Sequence, residues 1–412
     1  MIAAATTGYP VRRNTFLLAA CLTCNSGMVQ LTVAVSTLTL VLVTGVKSIL
    51  GLGPAIFLSA AALAALPAGR LMDRVGRVPV LAGGFCLGIA GSLTTALGCS
   101  LASATLVISG FALMGASTGT VQLARTAAAD MYPSNRRARG ISLVLFGALF
   151  GAALGPLVFR PLFAGKELTL DALVRPWLVA SAFMVLGLVL ALSIRPDPKT
   201  IATALAAEQT GAPMAPPAPL REILRRPGVP TALVAAFASF SVMVGVMNLA
   251  GSVVVGNHHH SSDVFTVISL HIVGMYALVL VIGEVIDRLG RRPSLVGGLV
   301  LMGASSLALI WFSSVPLMSV SLFGVGLGWN LSYVAAAAEL VEHATPAERG
   351  RLIGFNDLCS GLLGASLALI GGVAYSVAGV TAIAVGAAIA VAAPAGLIVV
   401  RGRRAGTAVA SA

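Results

Sequence analysis

Apolar residues run along this chain in blocks, with short polar stretches between them. Each block is close to the ~20 residues that a helix needs to cross a bilayer core. Twelve membrane-spanning helices are predicted, over residues 15–42, 47–69, 79–99, 103–131, 140–162, 176–194, 229–255, 263–286, 294–313, 315–342, 352–377 and 379–400. The longer ones must tilt or protrude. A membrane barrel would instead show alternating segments of about ten residues. Residues 196–228 break the pattern, because Pro196, Pro198, Pro213, Pro216, Pro217 and Pro219 lie there among scattered charges. That composition predicts a flexible polar linker. The expected fold class is an all-α membrane protein with 12 transmembrane helices in two six-helix halves. The N-terminal bundle covers 1–195, the linker 196–228 and the C-terminal bundle 229–412.

Composition removes the soluble alternatives. Of 412 residues, 58% are hydrophobic and 10% charged, against roughly 25% charged in a soluble domain. The mean hydropathy of +0.98 is the opposite of a disordered chain's. A net charge of +12 would suit nucleic acid, but the basic residues lie between apolar blocks and form no patch. No nucleic-acid partner is expected. All but five of the 26 Lys and Arg fall on one side of the twelve-span topology. The other side carries Lys47, Arg160, Lys166 and Arg175, and Arg125 lies inside a span. The richer side is expected to be cytoplasmic, with both termini and the linker. The five cysteines lie in apolar blocks and are odd in number, so they form no disulfide framework. The long apolar run after Arg12 and Arg13 lacks a small-residue cleavage site and reads as an uncleaved first helix.

The halves repeat each other. Gly69, Asp73, Arg74, Gly76 and Arg77 follow the second span in the pattern G-x-x-x-D-R-x-G-R, and Gly283, Asp287, Arg288, Gly290 and Arg291 follow the eighth at the same spacing. A second pair follows the fourth and tenth spans: Asp130, Pro133, Arg137 and Arg139 against Glu342, Pro346, Arg349 and Arg351. These repeated loops resemble those of the major facilitator superfamily of transporters, and the resemblance covers essentially the whole chain. It implies two six-helix bundles with a substrate cavity between them near the membrane midplane. It further implies a gate of ion pairs that lock one conformation and release in another. Asp73, Arg77 and Asp130 form that gate in the first half, with Asp287, Arg291 and Glu342 as counterparts. The competing reading is charge that only sets topology. No nucleophile–base set, nucleotide loop or HExxH helix is present, so the chain reads as a transporter rather than an enzyme, with no resident cofactor.

Selectivity must come from polar or soft groups inside the spans. Gln30, Gln122, Asn248, Asn330, Tyr333 and Asn356 are candidates to line a cavity, and each also fits an interhelical hydrogen bond. Arg125 fits an ion pair with a carboxylate at the inner membrane end, and Asp357 lies near the inner end of the eleventh span. In the fifth span Gly147, Gly151, Gly155 and Pro156 resemble part of a drug/proton antiporter motif, but Phe159 and Arg160 stand where that motif's trailing glycines are expected. Close helix packing is the alternative.

A soft-ligand pattern is sharper. Met243 and Met247 lie four apart on the seventh span, and His271 and Met275 four apart on the eighth, so each pair shares a helix face. At ~1.5 Å per residue both pairs bracket the midplane of a core roughly 30 Å thick. Thioether and imidazole suit Cu(I); methionine is equally a flexible core filler. The pattern is similar to that of the CcoA-like copper importers within the superfamily. That resemblance implies Met243, Met247, His271 and Met275 as copper ligands, a bacterial inner-membrane location, import of copper for cytochrome oxidase assembly and copper as the small-molecule partner of a monomer in the lipid bilayer. Cys21, Cys24 and Met28, one stripe on the first span, would be an inward relay. His258, His259 and His260, in the outer loop above the site, would collect metal. The rival reading is a proton-coupled transporter of an organic solute, riboflavin-like or a drug, with Gln, Asn and Tyr lining the pocket.

Overall fold

In the computed structural model, residues 8–45, 52–163, 169–210, 216–259 and 263–410 are described. They are almost entirely helical: α1 (Val11–Thr44), α2 (Leu52–Val75), α3 (Arg77–Ser100), α4 (Ala104–Val121), α5 (Ala124–Asp130), α6 (Arg137–Phe163), α7 (Leu170–Leu192), α8 (Pro198–Thr210), α9 (Leu220–Ile223), α10 (Val229–Gly256), α11 (Asp263–Tyr276), α12 (Val279–Leu289), α13 (Arg291–Ala308), α14 (Val315–Glu342) and α15 (Arg349–Ala410). Lipid cannot satisfy backbone N–H and C=O groups, so a spanning chain must satisfy them within each helix. Among the described residues, nine helices are long and apolar enough to cross a membrane, and ten if α11 and α12, bent by 41°, are one span. α6 and α13 occupy the predicted fifth and ninth spans outside that count. α13 has 18 residues and opens on Arg291 and Arg292, which lower the hydropathy of any window long enough to cross.

Three places in the helices bear on the sequence pattern. The predicted fourth span breaks into α4 and α5 at Gln122 and Leu123, where Leu123 N–H donates to Thr120 O and Thr126 N–H to Leu123 O. That tightening leaves the Gln122 carbonyl to accept from Arg125 Nη1 at 3.1 Å. α15 is kinked at Ala378 and Gly379, with Gly379 at φ 62, which matches the expected boundary between the last two spans. The expected flexible linker instead holds α8. Its residues Ile201, Ala202 and Leu205 are buried, an apolar stripe among the prolines, and Pro198 supplies a preset φ at the first turn.

The chain divides into two compact units, one of residues 1–218 and 344–358, the other of 219–343 and 359–412. In the first unit α3 packs on α4 and α7, α2 on α4, and α1 on α6 and α7. In the second, α14 is the central helix and packs on α10, α11 and α13. Each unit contains a close crossing of two glycines. Where α3 crosses α4, a Cβ on Gly91 would meet Gly110 O at 2.8 Å and one on Gly110 would meet Gly91 O at 2.7 Å. Where α13 crosses α14, Gly298 and Gly328 stand in the same reciprocal relation, a Cβ on either meeting the other's carbonyl oxygen at 2.7 Å. Small residues substitute for a hydrophobic driving force between helices in lipid by letting backbones approach.

Gly110→Ala should therefore lower the apparent Tm of the detergent-purified protein, with overpacking costing about 1–3 kcal/mol. Gly83→Ala, on α3 with open space around it, should leave Tm unchanged or slightly raised. Equal behaviour of the two variants in a thermal-shift assay would refute the crossing.

Candidate functional site

Four charged side chains of the first unit converge at the ends of α2, α3 and α5. Arg77 follows Gly76, whose φ of 105 suits only glycine, so the loop turns sharply and the Arg77 side chain is fully buried. Its Nε donates to Asp130 Oδ2 at 2.7 Å. Its Nη1 donates to Met72 O at 2.8 Å and Asp73 Oδ1 at 3.2 Å, and its Nη2 to Pro346 O at 2.6 Å. Asp130 Oδ1 accepts from Arg349 Nη1 at 2.7 Å. Asp73 accepts from the backbone N–H groups of Gly350 (2.8 Å) and Arg351 (2.7 Å), which lie at the start of α15. A Cβ on Gly69 would meet Gly350 O at 2.0 Å, so the motif's first glycine is the close approach that lets Asp73 reach those amides. The structure thus joins Asp73, Arg77 and Asp130 and adds Arg349, which the loop repeat contained but the predicted cluster omitted.

The counterpart in the second unit is looser. Arg291 pairs with Glu342 at 3.0 Å and Glu339 at 3.8 Å, and Glu339 also meets His343 Nε2 at 3.1 Å. Arg291 and Glu342 are 19% and 34% exposed, against 0% for both Arg77 and Asp130. Asp287 is half-buried at the end of α12. Asp197, unremarked in the sequence, accepts from the first amides of α3, Arg77 N–H at 3.1 Å and Val78 N–H at 2.8 Å. It caps that helix from a distant loop, a pairing that local spacing does not reveal.

Within candidate spans of the first unit, Arg125 Nη2 pairs with Asp357 Oδ1. Asn356 Nδ2 donates to the same oxygen at 3.1 Å. Of the other polar candidates, Gln30 and Gln122 are half-buried, and Asn248 is exposed and donates to Val244 O on its own helix at 2.8 Å. In the second unit, Asn330 is fully buried and neither its amide oxygen nor its nitrogen has a hydrogen-bond partner among the described residues. On the same helix the rings of Trp329 and Tyr333 stack at 5.0 Å and 16°, flanked by Phe240 and Tyr276. The W-x-x-x-Y spacing was the available signal for this stack, since residues four apart share a helix face.

The soft residues also lie in the second unit. Met243 is buried and Met247 half-buried on α10. His271 and Met275 are buried on α11 and face α14, His271 Nδ1 donating to Leu322 O at 2.7 Å and Met275 lying against Gly326. A carbonyl only accepts, so Nδ1 carries the proton and Nε2 is the acceptor; Nε2 is buried without a partner among the described residues. Among those residues no group of three or more His, Cys, Asp or Glu could hold a metal ion. His259 Nε2 meets Ser313 O at 2.6 Å, His258 lies at φ 63, and His260 falls outside the described residues. Cys21, Cys24 and Met28 are buried; Cys21 Sγ contacts Gly187 O at 3.6 Å, and Met28 Sδ accepts from Thr32 Oγ1 at 3.5 Å. Gly147 and Gly151 press against Ala19 and Ser26 of α1, which is the close-packing role for this part of the fifth-span motif.

Comparison with known proteins bears on this arrangement. The profile of the Major Facilitator Superfamily matches residues 15–270 and 236–410. An uncharacterized MFS-type transporter, YdeG of Bacillus subtilis, is 30% identical over 331 residues, 78% of this chain and 76% of its own. The riboflavin transporter RfnT of Brucella anthropi is 31% identical over 304 residues, 72% of each chain. Neither is named as a copper importer, so the resemblance to copper importers gains no support from these relatives. Among solved structures, the human organic anion transporter MFSD10 superposes with a TM-score of 0.77 at 16% identity, covering 95% of this chain and 100% of its own. The proton:xylose symporter XylE gives 0.73 at 15% identity, covering 92% and 94%. These two likenesses concern the fold.

Breaking a buried pair costs about 3–5 kcal/mol, because the partner's charge stays buried. Asp130→Asn should thus lower the apparent Tm markedly. Arg291→Gln, in a partly exposed pair, should cost no more than about 1 kcal/mol. Similar losses in both variants would mean that burial does not distinguish the two clusters.

Proposed function

The chain belongs to the Major Facilitator Superfamily and is a secondary transporter, not an enzyme, and we propose that its cargo is a planar organic solute of the riboflavin kind. The observation that carries this reading is the Trp329–Tyr333 stack on α14, the helix that also holds Asn330, whose amide groups are buried without partners among the described residues. An aromatic face gives a flat heterocycle about 1–3 kcal/mol per stacked ring. A buried amide without a partner loses a comparable amount until a ligand's donors and acceptors meet it. The likeness to RfnT supports the same class of cargo.

In this reading the Arg125–Asp357 pair carries the coupling. Ionisable groups inside a span are costly and mark ion or proton paths, and Arg125 and Asp357 are such a pair. The Asp73–Arg77–Asp130–Arg349 cluster acts as the gate, because it pins residues 344–358, from which α15 continues into the second unit. Alternating access then requires those hydrogen bonds to break together.

A second reading, Cu(I) as cargo, is favoured by one observation. His271 donates from Nδ1 to a backbone carbonyl and leaves Nε2 as a buried acceptor, which is how a ligating imidazole is usually oriented. Met243, Met247 and Met275 would supply the soft partners.

Uptake of radiolabelled riboflavin by cells expressing the chain, against cells without it, separates the two. Expected are flavin accumulation, a fall of roughly tenfold in Trp329→Ala and Asn330→Ala at equal expression, and loss of uptake in Asp357→Asn. Copper accumulation that is abolished by His271→Ala and competed by silver, with no flavin uptake, would overturn the organic-solute reading in favour of the metal.

A further inference from the structure

A cavity of about 1500 Å³ opens along α1, α6 and α7 of the first unit, larger than the roughly 300–1,000 Å³ of ordinary small-molecule sites. Its wall is apolar and aromatic, with Phe16, Phe146, Phe150 and Phe183 lining it. Phe16 and Phe150 are exposed, as they would be towards lipid. One end is different. There Arg12 and Arg13 come from the first turn of α1, Arg139 from the first turn of α6 and Arg136 from the short turn just before it. All four are exposed. Between the two regions Thr15 Oγ1 and Tyr132 OH lie 3.1 Å apart.

The placement of the arginines opposes local electrostatics. A helix N-terminus carries about half a positive charge and favours acidic neighbours. Neither α1 nor α6 has an acidic residue in its first turn, and both have arginine there instead. Charge bias across the membrane accounts for the side on which these residues lie, but not for their convergence on one cavity beside two helix N-termini. Arg13 Nη2 donates to Ser193 O at 3.0 Å, and both helix N-termini favour an anion at that point. The apolar wall running away from it rules against a small hydrophilic anion, which would leave that wall unfilled.

We propose that this groove is a binding site for an anionic phospholipid of the arginine-rich leaflet. The phosphate headgroup would lie among Arg12, Arg13, Arg136 and Arg139, and an acyl chain along Phe16, Phe146, Phe150 and Phe183. Basic pockets between membrane helices on the cytoplasmic side are suited to such headgroups, at about 1 kcal/mol per basic residue. The proposal is independent of the cargo.

Native mass spectrometry of the full chain, released from nanodiscs of mixed phosphatidylglycerol and phosphatidylcholine with matched acyl chains, reads the site. Retention of phosphatidylglycerol over phosphatidylcholine is expected, weakened roughly five-fold by Arg12→Gln and again by Arg136→Gln. Arg70→Gln, an exposed basic residue outside the groove, should retain lipid like the parent. Phe16→Ser tests the acyl wall without touching charge and should also weaken retention. All four positions are exposed, so the variants are expected to fold, and Tm in detergent checks this. Equal retention of the two lipids, equal loss in Arg70→Gln, or a Tm rise with inorganic phosphate matching that with phosphatidylglycerol would overturn the proposal. So would displacement of the retained lipid by riboflavin, which would make the groove a cargo site.

Discussion

The Arg77 guanidinium has five N–H donors in a place from which water is excluded, and the charged end of the first unit is arranged to meet that demand. Two carboxylates and two backbone carbonyls surround it. Each constraint leads to another. Asp130 serves two guanidinium groups, and Asp73 has oxygens to spare for the amides of Gly350 and Arg351. Gly69 must be glycine for those amides to come close. Removing one buried charge from such a network leaves its partners' charges buried and uncompensated, so its members are coupled.

Away from the charges, the bundle is held by contact between small residues. Lipid offers no hydrophobic gain for helix association, so close backbone approach replaces it. The reciprocal Gly91–Gly110 and Gly298–Gly328 crossings use this close approach in each unit. Gly147 and Gly151 against α1 belong to this packing, which accounts for those glycines without invoking an exchange mechanism.

Polar groups inside the units divide by whether they are already satisfied. The Arg125–Asp357 pair and Asn248 have partners in place, and Asn356 donates to Asp357 while its Oδ1 has no partner among the described residues. The amide of Asn330 and Nε2 of His271 have none among the described residues. Both lie in the second unit, near an aromatic stack and near thioethers respectively, and they are the basis of the two cargo readings.

Much of this was legible in the sequence. The membrane class and helical content follow from block length and hydropathy, since lipid permits few backbone solutions. The duplicated loops identified the family, and Asp73, Arg77 and Asp130 were found because their spacing repeats. Local pattern did not contain the partners brought from far along the chain. Arg349 on Asp130, Asp197 on the first amides of α3, and Asp357 on Arg125 join residues more than a hundred positions apart. The breaks at Gln122–Leu123 and Ala277–Leu278, and the helix hidden in the proline-rich linker, likewise needed tertiary contacts. Periodicity reports which face a residue occupies, and sequence alone does not say what that face meets. The soft residues Met243, Met247, His271 and Met275 were legible as two pairs, but whether four such side chains act on one ion depends on distances between helices, which only the folded chain sets.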